Sequence, residues 1–555
     1  MGAPERIRVK KRGQELLQDP ALNKGTAFTE WERIELGLEG LLPHHVATLD
    51  EQVARVLTNY RAKPSPLERY IYLRALQDRN ETLFYAALTR HLNEMMPVVY
   101  TPTVAEAVEE FSHIFRAARG LYVTPEDVGR MEQVIGNAPH DDVAMIVCTD
   151  NEGILGIGDQ GTGGMAIPIG KLALYVAAAG FRPSQCLPVC LDVGTENQEL
   201  LDDPLYLGVK ERRLRGAAYH EFIGAFVEGV RACMPGAVLQ WEDFSRANAF
   251  DNLAMYRDRL PSFNDDIQGT AQVTVAALMG AAKLAERSFA DEVVCIIGAG
   301  GAGVGVAQGI MAALQAVGVP EEQAKQRVYV VDSRGLLADD RTDLADYKRP
   351  VAVSAELVRD WPGRSVYDVI ENARPTALVG LSGQPGAIDQ KAAEMMARVT
   401  RRPAIFPMSN PTSKAEARPA DLIAWTGGQA IVATGSPFDP VEYNCRTYHF
   451  SQANNVYIFP GVGLGAYASG ARMISDAMLA AASGRVHALV GSEDYEKGLV
   501  LPPITDLRTI AAEIAAAVVA QAVREGHARP GAETLHAARL AQGMYVPEYA
   551  EYEPA

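Results

Sequence analysis

Three features of the 555-residue sequence predict an α/β protein with a helical N-terminal domain, a central α/β domain and a Rossmann-type, doubly wound domain. Apolar residues recur at helical spacing from Leu49 to Phe115. Beyond Leu121, short apolar runs alternate with helical stretches, the pattern of a sheet covered by crossover helices. Further on, one strand-like run leads into a glycine-rich turn and a long apolar helix, which is how the βαβ unit of a doubly wound sheet begins.

In the first block, Leu67, Tyr70, Ile71, Leu73 and Leu76 fall on one helical face with few breakers nearby, so residues 1–118 form a mostly helical domain. Its end reads differently: Pro97-Val98-Val99-Tyr100-Thr101-Pro102 predicts a short extended piece that stops at proline. The runs Val143–Cys148, Leu187–Val193 and Val238–Trp241 predict strands of the central domain, residues 119–264. Within it, Gly161-Thr162-Gly163-Gly164 leads into the helical Ile167–Tyr175, with Pro168 where a first helical turn tolerates it. That places Lys171 in the first turn, where the positive end of the helix dipole favours proton loss and moves a lysine from about 10.4 toward base chemistry. Taken alone, such a residue reads as an exposed helical lysine.

The third block, residues 265–454, is easier to read. Val293–Ile297 predicts a buried strand, Gly298-Ala299-Gly300-Gly301-Ala302-Gly303 a tight turn, and Val304–Ala316 a helix. Gly298, Gly300 and Gly303 occupy the three glycine positions of the dinucleotide fingerprint, which serve the turn, the approach of pyrophosphate and helix packing. The next strand, Val328–Val331, ends at Asp332, where an acid meets the adenosine ribose. Further strands are predicted at Ala377–Val379, Ala404–Phe406 and Ala430–Val432. From Val456 the chain reads as helical and returns to the preceding domain as residues 455–530, leaving 531–555 as a C-terminal tail.

Two acidic corners stand out. Glu242-Asp243 ends one strand run, and Asp265-Asp266 follows Phe263-Asn264. Neighbouring strand residues point to opposite faces, so a carboxylate doublet can send one group to a cation and the other elsewhere. Asp266 is assigned to metal and Asp265 to proton chemistry. With no Cys or His nearby, three carboxylates suit Mg²⁺ or Mn²⁺ rather than zinc. The net charge of −17 argues against a general nucleic-acid surface. The basic residues Arg6, Arg8, Lys10, Lys11 and Arg12 read as a solvated tail. Six scattered cysteines fit reduced, buried thiols and a cytoplasmic location. The longest apolar run, around Ile510–Val523, is interrupted by Glu513 and Gln521, so neither secretion nor a membrane span is expected.

Together these segments resemble the malic enzyme family. The match runs from Leu22–Phe28 through Pro97–Thr103, Leu155–Lys171, Leu191–Thr195, Trp241–Phe244, Phe263–Thr270, Ser409–Thr412 and Asn454-Asn455 to Phe459-Pro460-Gly461. The resemblance implies metal ligands at Glu242, Asp243 and Asp266, a general-base pair in Lys171 and Asp265, and a general acid in Tyr100. It also implies that Asn410, Asn454 and Asn455 lie near substrate and nicotinamide. The implied reaction is oxidative decarboxylation of L-malate to pyruvate with NAD or NADP and Mg²⁺ or Mn²⁺, by a homodimer or homotetramer.

One position departs from that pattern. Gly153 stands where the family has an arginine that binds a substrate carboxylate, a contact worth roughly 1.5–3 kcal/mol. Arg116 or Arg119 is a possible surrogate. Glycine there also resembles the malolactic enzymes, which convert malate to lactate with retained cofactor, and that activity is the alternative. A regulatory dinucleotide-binding protein and RNA binding through the basic arm are the rivals from other classes. Around Asp332 the signals conflict. The carboxylate favours a ribose 2′-hydroxyl, whereas Ser333, Arg334 and Lys348 suit a 2′-phosphate.

Overall fold

The computed structural model describes residues 6–154 and 156–555; the first five residues and Leu155 of the Leu155–Lys171 block lie outside the described residues. The chain opens with strand β1 (Arg6–Val9) and then a run of helices that includes Leu49–Arg61, Pro66–Gln77, Glu81–Arg90 and Leu92–Val99. Thr48, Ser65 and Asn80 cap the first three with side-chain oxygens, which satisfies orphan amides at each start. Leu92–Val99 corrects the extended reading of Pro97–Pro102: Pro97 sits inside this helix, and only Tyr100 at its end is extended. The proline lacks an amide, but the turn before it carries no other breaker, so the helix continues through it.

The central sheet contains β2 (Leu121–Val123), β3 (Met145–Thr149), β4 (Cys186–Leu191), β5 (Val238–Glu242) and β6 (Ser262–Asn264), in the order β2-β4-β3-β5-β6 with every pair parallel. The second sheet contains β7 (Val294–Ile297), β8 (Val328–Asp332), β9 (Gly335–Leu336), β10 (Ala377–Gly380), β11 (Ala404–Pro407) and β12 (Ile431–Thr434). After a hairpin of β13 (Val441–Tyr443) and β14 (Arg446–Tyr448), β15 (Ser451–Gln452) adds an edge. The order β15-β12-β11-β10-β7-β8-β9 is that of a doubly wound sheet in which the chain reverses direction between β7 and β10. All predicted strands are present; β9, the hairpin and β15 are too short to announce themselves by pattern.

Of the helices after Val456, Phe459–Ser469 and Leu507–Arg524 pack on the Ala166–Ala179 helix of the central block, whereas Asp476–Ala488 packs on Thr270–Leu284 and Gly301–Ala316. Phe459 packs on Tyr175 at 5.1 Å between ring centroids, and Arg508 Nη1 donates to Ala177 O at 2.8 Å. The most apolar long helical stretch is Gly161–Ala179 rather than Ile510–Val523, and it is wholly buried as the core helix of the central domain. Of the six free cysteines, Cys148, Cys190 and Cys295 are buried as expected, whereas Cys233 and Cys445 are exposed.

The basic arm is not a solvated tail. β1 pairs in parallel with β16 (Glu551–Pro554), and Arg6 bridges Glu551 at 3.1 Å and Glu553 at 3.5 Å. Lys11 reaches Asp19 at 2.8 Å. The partner strand lies more than five hundred residues away in sequence, so no local pattern could have announced the pairing.

Candidate active site

Two acidic corners become one site because β5 and β6 are adjacent parallel strands, with Trp241 paired to Asn264. Each corner follows its strand at the same sheet edge, so Glu242-Asp243 and Asp265-Asp266 converge. Simple strand alternation would send Glu242 and Asp243 apart. Asp243 instead has φ +55°, a left-handed conformation uncommon outside glycine, which reverses the chain and keeps both carboxylates together. Asp265 begins a π-helical turn, Asp265–Gly269, rather than ending a strand; Asn264 caps it through a 2.9 Å bond from Ile267 N. A Cβ at Gly269 would stand 1.8 Å from Asp265 Oδ1, so that glycine is what lets Asp265 sit over the turn.

One oxygen from each of Glu242, Asp243 and Asp266 lies within 4.8 Å of the others. Asp266 Oδ2 also accepts from Asp243 N at 2.8 Å, and Glu242 Oε2 from Gln240 Nε2 at 2.9 Å. Burial, then repulsion among neighbouring carboxylates, pushes all three carboxyls up from their ordinary values against the pull of Lys171. Asp243 Oδ2 and Asp265 Oδ1 are buried without hydrogen-bond partners. Three buried carboxylates and the half-buried Asp266, facing one ammonium, leave a deficit of positive charge, and the donor set is hard oxygen throughout. These residues fit a divalent cation.

Lys171 donates to Asp265 in a short contact and lies 2.5 Å from Glu242 Oε1, with its side chain only 1% exposed. Its predicted place in a first turn is wrong. A 3-10 turn over Gly161–Met165 precedes the Ala166–Ala179 helix, so Lys171 lies two turns in, beyond the reach of the helix end. The predicted direction of its pKa is reversed as well. Burial opposes the charge, yet Asp265 and Glu242, with Asp266 behind them, hold the ammonium well above the usual lysine value. Gly170 permits the approach of Tyr100, since a Cβ there would meet Val99 O at 2.4 Å. The Lys171 ammonium consequently stands 5.6 Å from the Tyr100 ring centroid and 5.2 Å from that of Phe459. Burial pushes the Tyr100 hydroxyl up, so it remains protonated.

Asn455 joins this group, donating to Asp265 Oδ2 at 3.0 Å and to Asp265 O at 3.2 Å. Asn454 faces its own backbone, accepting from Val456 N at 2.9 Å, and Asn410 accepts from Ser436 Oγ at 2.6 Å. Asn410 and Asn454 therefore lie outside the Lys171–Asp265 hydrogen-bond network. At Gly153 a Cβ would come within 2.2 Å of Phe244 O, and the Gly153 amide donates to Asp243 O at 2.7 Å. This backbone excludes any side chain at that position. Of the two surrogates, Arg119 is committed to Glu81 at 2.7 Å, whereas Arg116 is exposed.

The glycine turn lies where β7 and β10 diverge. Gly298 has φ +118°, and a Cβ there would meet Leu381 O at 2.4 Å. At Gly303 a Cβ would meet Gly298 O at 1.9 Å, so both glycines are required for packing, while Gly300 N-caps the sixteen-residue helix Gly301–Ala316 beneath Arg246, and at Gly301 a Cβ would meet only open space. A helix N-terminus with that opening fits a pyrophosphate. At the end of β8, Asp332 accepts from Arg341 at 2.9 and 3.2 Å, from Lys348 at 3.1 Å and from the Arg334 amide at 2.9 Å. Although burial opposes it, these bonds hold the carboxyl below its usual range. Arg334 is itself tied to Asp343 at 2.9 Å, and Ser333 is exposed in the same turn.

Three arginines escaped the sequence reading. Arg341 binds both Asp332 and Asp343. Arg213 grips Asp159 through two 2.7 Å bonds and the Asp150 carbonyl at 2.9 Å, fixing the loop that carries Gly153. Arg246 places Nε 3.6 Å from the position of a Gly300 Cβ. None sits in a motif, and only folding brings them to these carboxylates and turns.

A family model described as malic enzyme, N-terminal domain, matches residues 77–257, and one described as malic enzyme, NAD binding domain, matches residues 267–523. The NAD-dependent malic enzyme of Aeromonas hydrophila is 46% identical over 543 residues, covering 97% of this chain and 96% of that protein. That of Shewanella woodyi is 44% identical over 545 residues, covering 98% and 97%. Among solved structures, the Entamoeba histolytica malic enzyme aligns with a TM-score of 0.57 at 22% identity, covering 92% of this chain and 90% of that one. The malic enzyme from Pyrococcus horikoshii gives 0.55 at 23%, covering 81% and 88%; at these identities the likeness is one of fold.

Proposed function

Because the chain belongs to the malic enzyme family and is an oxidoreductase of that family, we propose that it converts L-malate to pyruvate and CO₂ with reduction of NAD and a requirement for a divalent cation. The observation that carries this reading is the single buried cluster in which Lys171 touches Asp265 on one side and Glu242 of the carboxylate trio on the other.

Glu242, Asp243 and Asp266 would hold Mg²⁺ or Mn²⁺, which when bound supplies Lewis acidity at the substrate's C2 oxygen. The turn of Gly298, Gly300 and Gly303, with Asp332, would hold NAD, which would supply a hydride acceptor for C2. The chain's own residues move the protons. With a cation held by the trio offsetting the carboxylate field that keeps it charged, Lys171 can release its proton to solvent and, held in place by Asp265, take the C2 hydroxyl proton as the neutral amine. Asn455 keeps the Asp265 carboxylate oriented toward Lys171 during that exchange. After CO₂ departs, Tyr100 is the proton donor to C3 of the resulting enolate, and its protonated state suits that role. Without a side chain at Gly153, the family's carboxylate clamp has to come from elsewhere, and Arg116 is the remaining surrogate of the two considered.

NAD is favoured over NADP because Lys348 and Arg341 already neutralise Asp332, leaving that carboxylate as an acceptor for a ribose diol. The relatives are named for NAD, which supports the same choice and does not favour the malolactic alternative. A malate assay with Mn²⁺ and each cofactor, quantifying pyruvate, lactate and reduced cofactor together, tests the proposal. Equimolar pyruvate and NADH are expected; lactate without free NADH overturns it.

Arg246 is placed to meet the pyrophosphate over Gly300. Losing a charge-assisted bond of about 1.5–3 kcal/mol, Arg246→Ala should raise the Kd for NADH by roughly 10- to 100-fold. Fluorescence titration reads this directly, and an unchanged Kd removes Arg246 from the cofactor site.

A further inference from the structure

At the opposite edge of the second sheet, by the N-terminal ends of β11 and β12, a cleft of about 260 Å³ is lined by Arg401, Arg402, Arg446, His449 and Lys497, with no Asp or Glu in its wall. The dinucleotide turn and Asp332 lie at the C-terminal strand ends, so this cleft is separated from them by the length of the sheet. In a chain of net charge −17, such a concentration of cations is unexpected. Among the described residues, Arg401, Arg402, Arg446 and Lys497 form no ion pair, although Glu286 is close enough for its field to reach Arg402.

The floor of the cleft is built rather than accidental. Arg402 has φ +53° and donates to Leu284 O at the end of the Thr270–Leu284 helix in a short contact. Arg287 Nη1 donates to the carbonyls of Arg401 and Arg402 at 3.0 and 3.2 Å, holding that turn from beneath. Burial, then the like charges of Arg446, Arg401 and Arg287, pushes the Arg402 guanidinium down from its ordinary value against the pull of Glu286, in keeping with cations gathered in excess of acids. Arg446 lies over the Tyr448 ring at 5.1 Å and, like Lys497, is exposed at the rim. A fixed guanidinium at the base with cations at the mouth matches an anion that accepts several forked hydrogen bonds. The volume is small for a dinucleotide and adequate for a compact anion.

We infer that this cleft is a second anion site, which takes a small multivalent phosphate compound of the pyrophosphate class. The site is independent of the proposed malate reaction. Its test is isothermal titration of the full chain with inorganic pyrophosphate, in chelator and with saturating NAD so that the dinucleotide turn is occupied. One saturable site per chain is expected, weakening steeply between about 50 and 200 mM salt as screening grows. The double variant Arg446→Gln/Lys497→Gln, which touches neither the floor nor the catalytic cluster, should weaken binding at least about tenfold if each rim cation contributes a charge-assisted contact. Its malate turnover should equal that of the parent. No saturable binding to the parent, or equal binding by the double variant, overturns the inference. Tighter binding of citrate than of pyrophosphate overturns the phosphate assignment.

Discussion

Lys171→Ala is expected to lower kcat for malate oxidation by about 10³-fold, within the roughly 10²- to 10⁴-fold contributed by general acid–base groups. The substitution removes the one group among the described residues that touches both Asp265 and the carboxylate trio, through Glu242. It also leaves both carboxylates buried without a counter-charge, with only the Asn455 and Gln240 amides still donating to them, and breaking a buried pair costs about 3–5 kcal/mol, so lost activity could reflect lost folding. Two readouts separate the causes. NADH binding, measured by fluorescence, should survive because the glycine turn is built from the other domain. Methylamine should restore part of kcat, since a small amine can occupy the space between Asp265 and Tyr100 that the lysine vacates. A variant that binds NADH and is not rescued by any small amine would show that Lys171 positions carboxylates rather than carrying a proton.

The sequence made the chemistry of this site legible and left its geometry hidden. Acidic doublets after two strand runs suggest a hard-cation site, yet each doublet alone reads as a solvated acidic turn, and it is the adjacency of β5 and β6 that gathers them into a cluster that fits a cation. The glycine turn is equally legible, since Gly298 and Gly303 are demanded by backbone contacts that leave no room for a Cβ. Position along a helix was not legible at Lys171. Gly161–Met165 adds a preceding turn that glycine-rich composition disguises as loop, and the local dipole argument then yielded to the field of Asp265 and Glu242. Alternation failed at Asp243 for a related reason, because a positive φ outside glycine is a tertiary imposition that propensity does not predict. Arg341, Arg213 and the pairing of β1 with β16 depend on contacts between distant segments, for which a single sequence carries no periodic signal.

The carboxylate trio makes the other large prediction, and its sign distinguishes a metal site from a structural cluster. In metal-free protein, Glu242, Asp243 and Asp266 have carboxyls raised by burial and mutual repulsion. A carboxyl whose folded pKa is raised contributes a penalty once pH exceeds its unfolded value of about 4, because the native state then holds a proton, or an unfavourable charge, that the unfolded chain does not. At neutral pH the isosteric Asp266→Asn should therefore raise the Tm of metal-free protein, while retaining an oxygen to accept from the Asp243 amide. The same change should weaken Mn²⁺ binding by at least about 100-fold, beyond the roughly 10- to 100-fold typical of losing only a supporting group. Thermal unfolding with chelator and with Mn²⁺ reads both effects. The parent should gain about 2.7 kcal/mol at a hundredfold excess of Mn²⁺ over its Kd, and the variant almost nothing at that concentration. If Asp266→Asn instead lowers Tm equally with and without Mn²⁺, the carboxylate holds the chain together at this corner and binds no ion.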